Sequence, residues 1–395
     1  MIDFDTAVGL IVGLARPLEA ETAPLASALG RVLAGPVVAR SDAPARAVST
    51  MDGYAVRDAD LTTAPAGLPV VDTVFPGQAA PAPLPPGACA RIVTGAALPA
   101  GADRVVMQEQ VRRDGDRAVF EHPRGSPQFI RPAGSDFRAG DALLATGVRM
   151  NARSIVVAAA ADLAQLPLVR RPKVMVLSTG DELAEPGEAA GISGAIPDSV
   201  SFGVMAIATD WGAEVVGRRL LADAPDALRA AAEEALGLAD VIVVTGGASV
   251  GEKDFARSMF EGPDLGLVFS KVAIKPGKPV WAGRARGRIV LGLPGNPTSA
   301  IVTARLLLAP LLAGMGGRDP KDAMAWRTVP LAEALEATGD RETFYRGRRL
   351  GLAVAALANQ DSGSQKALAD AEVLIRRRVG QAAAGSGEFV EVLDL

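Results

Sequence analysis

The chain has 395 residues, a net charge of −4, one cysteine and one histidine, and 49% of its residues are apolar while aromatics supply only 4%. That length exceeds one ordinary core and predicts two to four domains, packed mostly with Ala, Val, Leu and Ile. The same figures exclude an intrachain disulfide framework and a Cys/His zinc site, and they argue against nucleic-acid binding by the surface as a whole.

Chemistry therefore falls to Asp, Glu, Lys, Arg, Ser, Thr and backbone amides. His122 sits in the loop-like "EHPRGSP" and reads as a surface residue; Cys89 in "PPGACARIV" reads as a small apolar residue entering a strand.

The N-terminal "MIDFDTAVGLIVGLARPL" is acidic and amphipathic, so no signal peptide is expected. Residues 1–40 read as helical, with "DTAVGLIVGLA" and "LASALGRVLAG" carrying apolar residues at helical spacing. Residues 41–137 are dense in Pro and Gly, with short Val/Ile runs between turns, and predict a small β-rich domain. "NARSIVVAAAADLAQL" returns to helix, so the β-rich segment reads as an insertion into a discontinuous helical linker domain of residues 1–40 and 138–170.

Residues 171–316 alternate strand and helix, which predicts a parallel sheet with helices on both faces. Ligands of such sheets bind beyond the carboxyl ends of the strands. The turns "STGDEL", "TGGASVGEKD" and "LPGNPTS" each follow a strand directly and are expected on one rim. The apolar run "AIVTARLLLAPLLAGM" is short and broken by Arg305 and Pro310, which favours a buried helix over a membrane span. Short strand-like runs over residues 317–395 predict a small β-barrel or sandwich.

Three groups could carry chemistry. Glycines in "TGG" and the Pro-led helix start in "GLPGNPTSA" expose backbone N–H groups to an anion, although ordinary turn and capping chemistry explains either one alone. Carboxylates recur in the strand-end turns: Asp181, Glu182, Asp198, Asp223, Glu252 and Asp254. Magnesium is usually held by one or two carboxylates plus substrate phosphates, while single acids mostly just solvate loops. Lys271, Lys275 and Lys278 stand in "FSKVAIKPGKP", where prolines cut the loop's freedom. A pre-positioned ammonium cluster suits a compact dianion or a phosphate, and a solvated hairpin tip is the plainer alternative.

Taken in order, "STMDGYAV", "RIVTGA", "GADRVVMQE", "STGDEL", "TGGASVGEKDF", "IKPGKP" and "GLPGNPTSA" closely resemble the molybdopterin molybdenumtransferase family, the MoeA and gephyrin E-domain group, over nearly the whole chain. The resemblance implies a multidomain α/β protein: a central αβα molybdopterin-binding-like domain over 171–316, a β-rich inserted domain over 41–137, the helical linker domain, and a C-terminal small β-barrel over 317–395. It implies an enzyme that inserts molybdenum from molybdate into adenylylated molybdopterin and releases AMP, with Mg2+ assisting. It further implies a cytoplasmic homodimer served by a molybdopterin adenylyltransferase and passing product to molybdoenzyme or chaperone acceptors, with no nucleic acid and no membrane.

Residue by residue, the resemblance assigns Lys275, Lys278, Pro279 and Ser299 to the oxyanion, closed by Arg346 of "FYRG" and Ser364 of "SGSQ". It assigns Glu182 and Asp254 to magnesium and AMP, and Gly246, Gly247 and Ser249 to the pterin or its phosphate. Asp52, Thr94 and Asp136 would reach in from the partner's inserted domain. The expected catalytic set is Asp52, Thr94, Asp136, Glu182, Asp254, Lys271 and Lys275. Fixed ammonium, guanidinium and hydroxyl groups can replace the hydration of a tetrahedral dianion with little reorganisation.

The chain departs from the family pattern at Val200, where relatives usually show Asn, at Ser135, where many carry Glu, and in the loose "DSGSQKALADAEVLI". Three other readings stand beside the insertase: a molybdopterin adenylyltransferase, whose resemblance should stop at the αβα domain; a diverged paralogue acting as a cofactor-binding scaffold; and a tungstate insertase.

Overall fold

The computed structural model describes residues 1–121, 128–246, 255–261 and 264–395. The chain gathers into two compact units, one of Met1–Thr22, Gly30–Ala34 and Pro167–Leu395, the other of Ala23–Leu29 and Gly35–Leu166.

In the second unit, a six-stranded sheet runs in the order Arg104–Met107, Gly53–Val56, Cys89–Ile92, Ala66–Val74, Arg117–Phe120, Val111–Asp114. Successive side chains of a strand point to opposite faces. Tyr54 and Val56 accordingly feed one apolar cluster, while Ala55 feeds another with Ala90, Ile92 and Val105. Cys89 is fully buried, and burial pushes its thiol up to about 12. The helix Ala152–Ala160 in this unit starts on a capping box, Asn151 with Ser154.

The expected helix over "LASALGRVLAG" is not present. Only Leu25–Ser27 makes a 3-10 turn. Gly30 adopts φ +77°, which breaks the spiral, and Leu33 is taken up in an antiparallel bridge to Leu168. The first helix, Phe4–Leu14, is capped by Asp3, whose carboxylate accepts from the Thr6 N–H at 2.8 Å.

The first unit carries the α/β layer. Its sheet order is Glu214–Leu221, Lys173–Thr179, Val241–Thr245, Arg288–Leu293, Trp281–Ala285, Gly266–Phe269. The first four strands are mutually parallel. The sheet is not wholly parallel as expected, because Trp281–Ala285 runs against both neighbours. A two-residue turn at Arg286 and Gly287, both with positive φ, folds it directly onto Arg288–Leu293.

Strand alternation builds a core on each face. Val174 and Val176 pack with Val200, Val204 and Ala208 of the helix Val200–Asp210. Met175 and Leu177 pack with Leu228, Ala232 and Ala235 of Pro225–Leu238. Among the described residues, Pro297–Met315 is the one helix apolar and long enough to cross a membrane, and 94% of it is buried inside the molecule. Arg305 explains its own presence there: it donates to the carbonyls of Ala323 and Asp394 and lies over the Trp211 ring. Burial pushes its guanidinium down to about 10.

The C-terminal strands Arg327–Pro330, Glu342–Leu350, Ala353–Ala356, Val373–Arg377 and Phe389–Asp394 pair antiparallel. A bridge between Leu331 and Val354 joins the ends of this sheet and closes a small barrel. Phe4 of the first helix packs edge-on against Phe344 of the barrel, with ring centroids 4.8 Å apart.

Candidate active site

Two adjoining cavities lie in the first unit. The larger, about 580 Å³, opens where the parallel strands end. Its rim brings together the three turns expected there: Thr179, Gly180 and Glu182; Thr245 and Gly246; Gly295, Asn296 and Pro297. Gly246 has φ +91°, and a Cβ added to it would stand 2.3 Å from the Thr179 carbonyl oxygen, so no side chain fits there. Backbone is thereby left bare at the cleft floor, which is what close approach of an anionic ligand requires.

The cleft carboxylates are not equivalent. Asp198 is buried and committed: it accepts from Ser201 Oγ at 2.7 Å and Arg218 Nη2 at 2.8 Å. Burial pushes this carboxyl up, but the hydrogen bonds from Ser201, Arg218 and Ser178 outweigh it and hold the group below its usual range. Asp181 accepts from the Asp223 N–H and so pins one turn to the next. Glu182 lines the cleft, and its carboxylate has no hydrogen-bond partner among the described residues. A carboxylate in this position, beside the bare backbone of Gly246, fits a magnesium ligand set of one or two carboxylates plus substrate oxygens.

The second cavity, about 390 Å³, is lined by Lys275, Lys278, Pro279, Ser299, Arg341 and Arg346 among others, with Asp361 the one acid among its described lining residues. Pro279 lines both cavities. The lysine loop leaves the strand Ile274–Lys275, which pairs with Glu342 and Thr343 of the barrel. Val272 N–H donates to the Lys278 carbonyl and closes the loop at its base. Gly277 has φ +107°, and a Cβ there would lie 2.2 Å from the Thr303 methyl. Glycine is therefore what lets the loop turn tightly against the core helix.

Arg346 is 1% exposed and forms no ion pair among the described residues. Its Nη2 donates to the carbonyls of Asn359 and Asp361, each at 3.3 Å, and its buried Nε has no partner among the described residues. Arg346 lines the cavity, and no hydrogen bond ties its Nη1 among the described residues. Burial pushes the guanidinium pKa down while the Asp361 charge opposes this. An arginine nevertheless keeps its charge, so the cavity presents an unneutralised buried cation.

Of the expected residues, Lys275, Lys278, Pro279, Ser299 and Arg346 share this cavity, while Gly246 and Glu182 line the cleft. Ser364 lines neither; its carbonyl accepts from Thr298 Oγ1, and its hydroxyl from Asn359. Lys271 also lines neither, being half-buried before the loop, with its carbonyl accepting from the Ile2 N–H. Gly247, Ser249, Glu252 and Asp254 lie outside the described residues, as does His122. In the second unit, Asp52 and Thr94 meet: the Thr94 N–H and hydroxyl donate to Asp52 at 2.7 and 2.8 Å. The Thr94 backbone N–H, then its hydroxyl, hold the Asp52 carboxyl below its usual range. Asp136 is exposed, and its side chain has no hydrogen-bond partner among the described residues. Sequence reasoning missed Arg341, just ahead of the strand Glu342–Leu350, and Gln360, in the loop after Ala353–Ala356; neither stands in a motif.

Three family models cover most of the chain: the MoeA N-terminal region (domain I and II) at residues 2–161, the "Probable molybdopterin binding domain" at 175–314, and the MoeA C-terminal region (domain IV) at 328–395. With the strand-end cleft and its cationic neighbour, they define a multidomain α/β transferase of molybdenum cofactor biosynthesis. The molybdopterin molybdenumtransferase of a Nostoc species is 32% identical, over 95% of this chain and 89% of its own length. That of Haemophilus influenzae is 37% identical, over 83% and 82%. The crystal structure of the molybdopterin biosynthesis MoeA protein from Pyrococcus horikoshii superposes with a TM-score of 0.84 at 28% identity, over 100% of this chain and 99% of that one. The chain belongs to the MoeA family of molybdopterin molybdenumtransferases.

Proposed function

We propose that the cationic cavity receives molybdate and the strand-end cleft receives adenylylated molybdopterin, so that molybdenum enters the dithiolene and AMP is released. The observation that carries this reading is the group of Lys275, Lys278 and the buried Arg346, which form no ion pairs among the described residues and lie beside a bare-backbone cleft. A tetrahedral dianion supplies the missing charge, and Ser299 adds a hydroxyl. Gly246 and the Asn296–Pro297 helix start receive the phosphate end of the second substrate.

Release of AMP by hydrolysis breaks the bridging P–O bond of the phosphoanhydride while water's oxygen forms the new one. Magnesium would supply charge neutralisation at those phosphates, held by Glu182 and, as the resemblance implies, Asp254. The resemblance also supports a homodimer in which the partner's Asp52–Thr94 pair and Asp136 complete the site. It supports cytoplasmic placement, supply by a molybdopterin adenylyltransferase, and delivery to molybdoenzymes or their chaperones.

The test is AMP release from magnesium-loaded adenylylated molybdopterin, with and without molybdate, for wild type and Lys275→Ala. Molybdate-dependent release that the substitution abolishes is expected. Release equally fast without molybdate sinks the assignment of the cavities, and no release under any condition favours a cofactor-binding scaffold. Tungstate carries the same charge and shape, so it should compete for the cavity.

A further inference from the structure

The barrel strand Glu342–Leu350 is incompletely covered along one edge. Ile274–Lys275 covers residues 342 and 343, and Ala353–Ala356 covers 347 to 350. At the break, the Leu357 N–H still donates to the Arg346 carbonyl at 2.8 Å, and Gln360 continues the edge with its side chain. The Arg346 N–H donates to Gln360 Oε1 at 3.1 Å, and Gln360 Nε2 donates back to the Arg346 carbonyl at 2.8 Å. Nε2 also reaches the Leu357 carbonyl at 2.7 Å. The segment that follows hangs from Arg346 through the two 3.3 Å bonds of its guanidinium to Asn359 and Asp361.

Its far end is tied elsewhere. The Ser362 carbonyl accepts from Thr298 N–H at 3.1 Å, the Ser364 carbonyl from Thr298 Oγ1 at 3.0 Å, and Ser362 Oγ from Asn296 Nδ2 at 3.0 Å. These are the first residues of the helix that edges the cleft. Asp361 and Ser362 line the cationic cavity, while Gly363 and Gln365 line the cleft. One short segment thus lines both cavities, attached to a cavity-lining cation at one end and to the cleft's helix at the other.

We propose that Asn359–Gln365 relays occupancy of the cationic cavity to the cleft, with Gln360 and Thr298 as its positioning residues. The inference rests on the ligand assignment above. An oxyanion offers Arg346 shorter, charge-assisted bonds than two carbonyls at 3.3 Å, so its arrival changes what holds the segment. A ligand shifts a conformational balance only by such a difference in interaction between states.

The relay is read as a ratio: AMP release with molybdate divided by release without it. Thr298→Val keeps shape and removes the bond to Ser364; Gln360→Met removes the bonds to Arg346. Each should lower the ratio by about fivefold or more, and Thr298→Ser should restore it. Rates that fall in parallel at an unchanged ratio overturn the relay and leave a merely structural role. A second readout needs no turnover and no variant. Molybdate alone should slow amide hydrogen exchange in 359–365 and 296–299 together. Protection confined to Lys275–Lys278 overturns the relay while sparing the oxyanion assignment; no protection anywhere overturns both.

Discussion

Gly277→Ala tests whether the lysine loop is rigid because the core forbids any other shape. At φ +107° an alanine meets a left-handed backbone penalty of about 1–2 kcal/mol. Its Cβ would also overlap the Thr303 methyl at 2.2 Å, and overpacking of this kind costs about 1–3 kcal/mol. Thr303 cannot swing away, since its hydroxyl donates to the Ser299 and Ala300 carbonyls. The strain of about 2–5 kcal/mol is relieved by the loop moving, so oxyanion affinity should fall by roughly 30-fold to a few thousand-fold, at about 1.4 kcal/mol per decade. Titration calorimetry with molybdate measures it. Thr303→Ser deletes the clashing methyl but keeps the hydroxyl, and should cost about 1 kcal/mol of stability alone. Combined with Gly277→Ala it should recover the steric share, leaving a coupling of about 1–2 kcal/mol in a double-mutant cycle. Wild-type affinity in the single alanine variant, or no recovery in the double, refutes the bracing argument.

Arg346→Met should weaken molybdate binding by about tenfold or more, since a hydrogen bond to a charged group contributes about 1.5–3 kcal/mol. Thermal unfolding should change only modestly, because the two bonds lost to Asn359 and Asp361 are long, the buried guanidinium has Nε unpartnered, and methionine fills similar space; a large loss of Tm with intact affinity would reverse its role. Asp198→Asn should cost about 1–3 kcal/mol at pH 7, read by urea unfolding. The Asp198 carboxyl sits below its unfolded value, so its stabilisation is full above that value and is lost as pH falls through the folded one. The gap between variant and wild type should therefore shrink as pH falls below the usual carboxylate range, and a constant gap would refute the ionised pair. Glu182→Gln should raise the magnesium concentration for half-maximal AMP release by about tenfold and leave molybdate affinity unchanged; an unaltered magnesium titration removes Glu182 from the metal.

The strand-end turns and the lysine loop were legible because glycine and proline mark sharp backbone events locally. Pro225 and Asp226 likewise mark the start of Pro225–Leu238. What stayed hidden depended on distant pairing. The reversal at Trp281–Ala285 turns on Arg286 at φ 47°, a residue with no turn signature. "LASALGRVLAG" has helical spacing, but Leu33 is claimed by Leu168, far along the chain. Gln360 looks like any loop glutamine until the open edge beside Arg346 is seen. Lys271 shares its neighbours' spacing, but the loop closes between Val272 and Lys278, one residue beyond it.

The docking of the first helix has a consequence for synthesis. Phe4 packs on Phe344, and Asp5 accepts from Arg376, 371 residues later. At ribosomal rates of about 5–20 residues per second, that helix waits roughly 20–70 s for its site to be made. Until then Phe4 has no barrel ring to pack on, while the rest of the helix packs against Ala309–Met315. A nascent-chain chaperone should therefore engage the leading helix early and release it only after the last strands emerge, and messages truncated before residue 376 should yield chains held permanently at that first step.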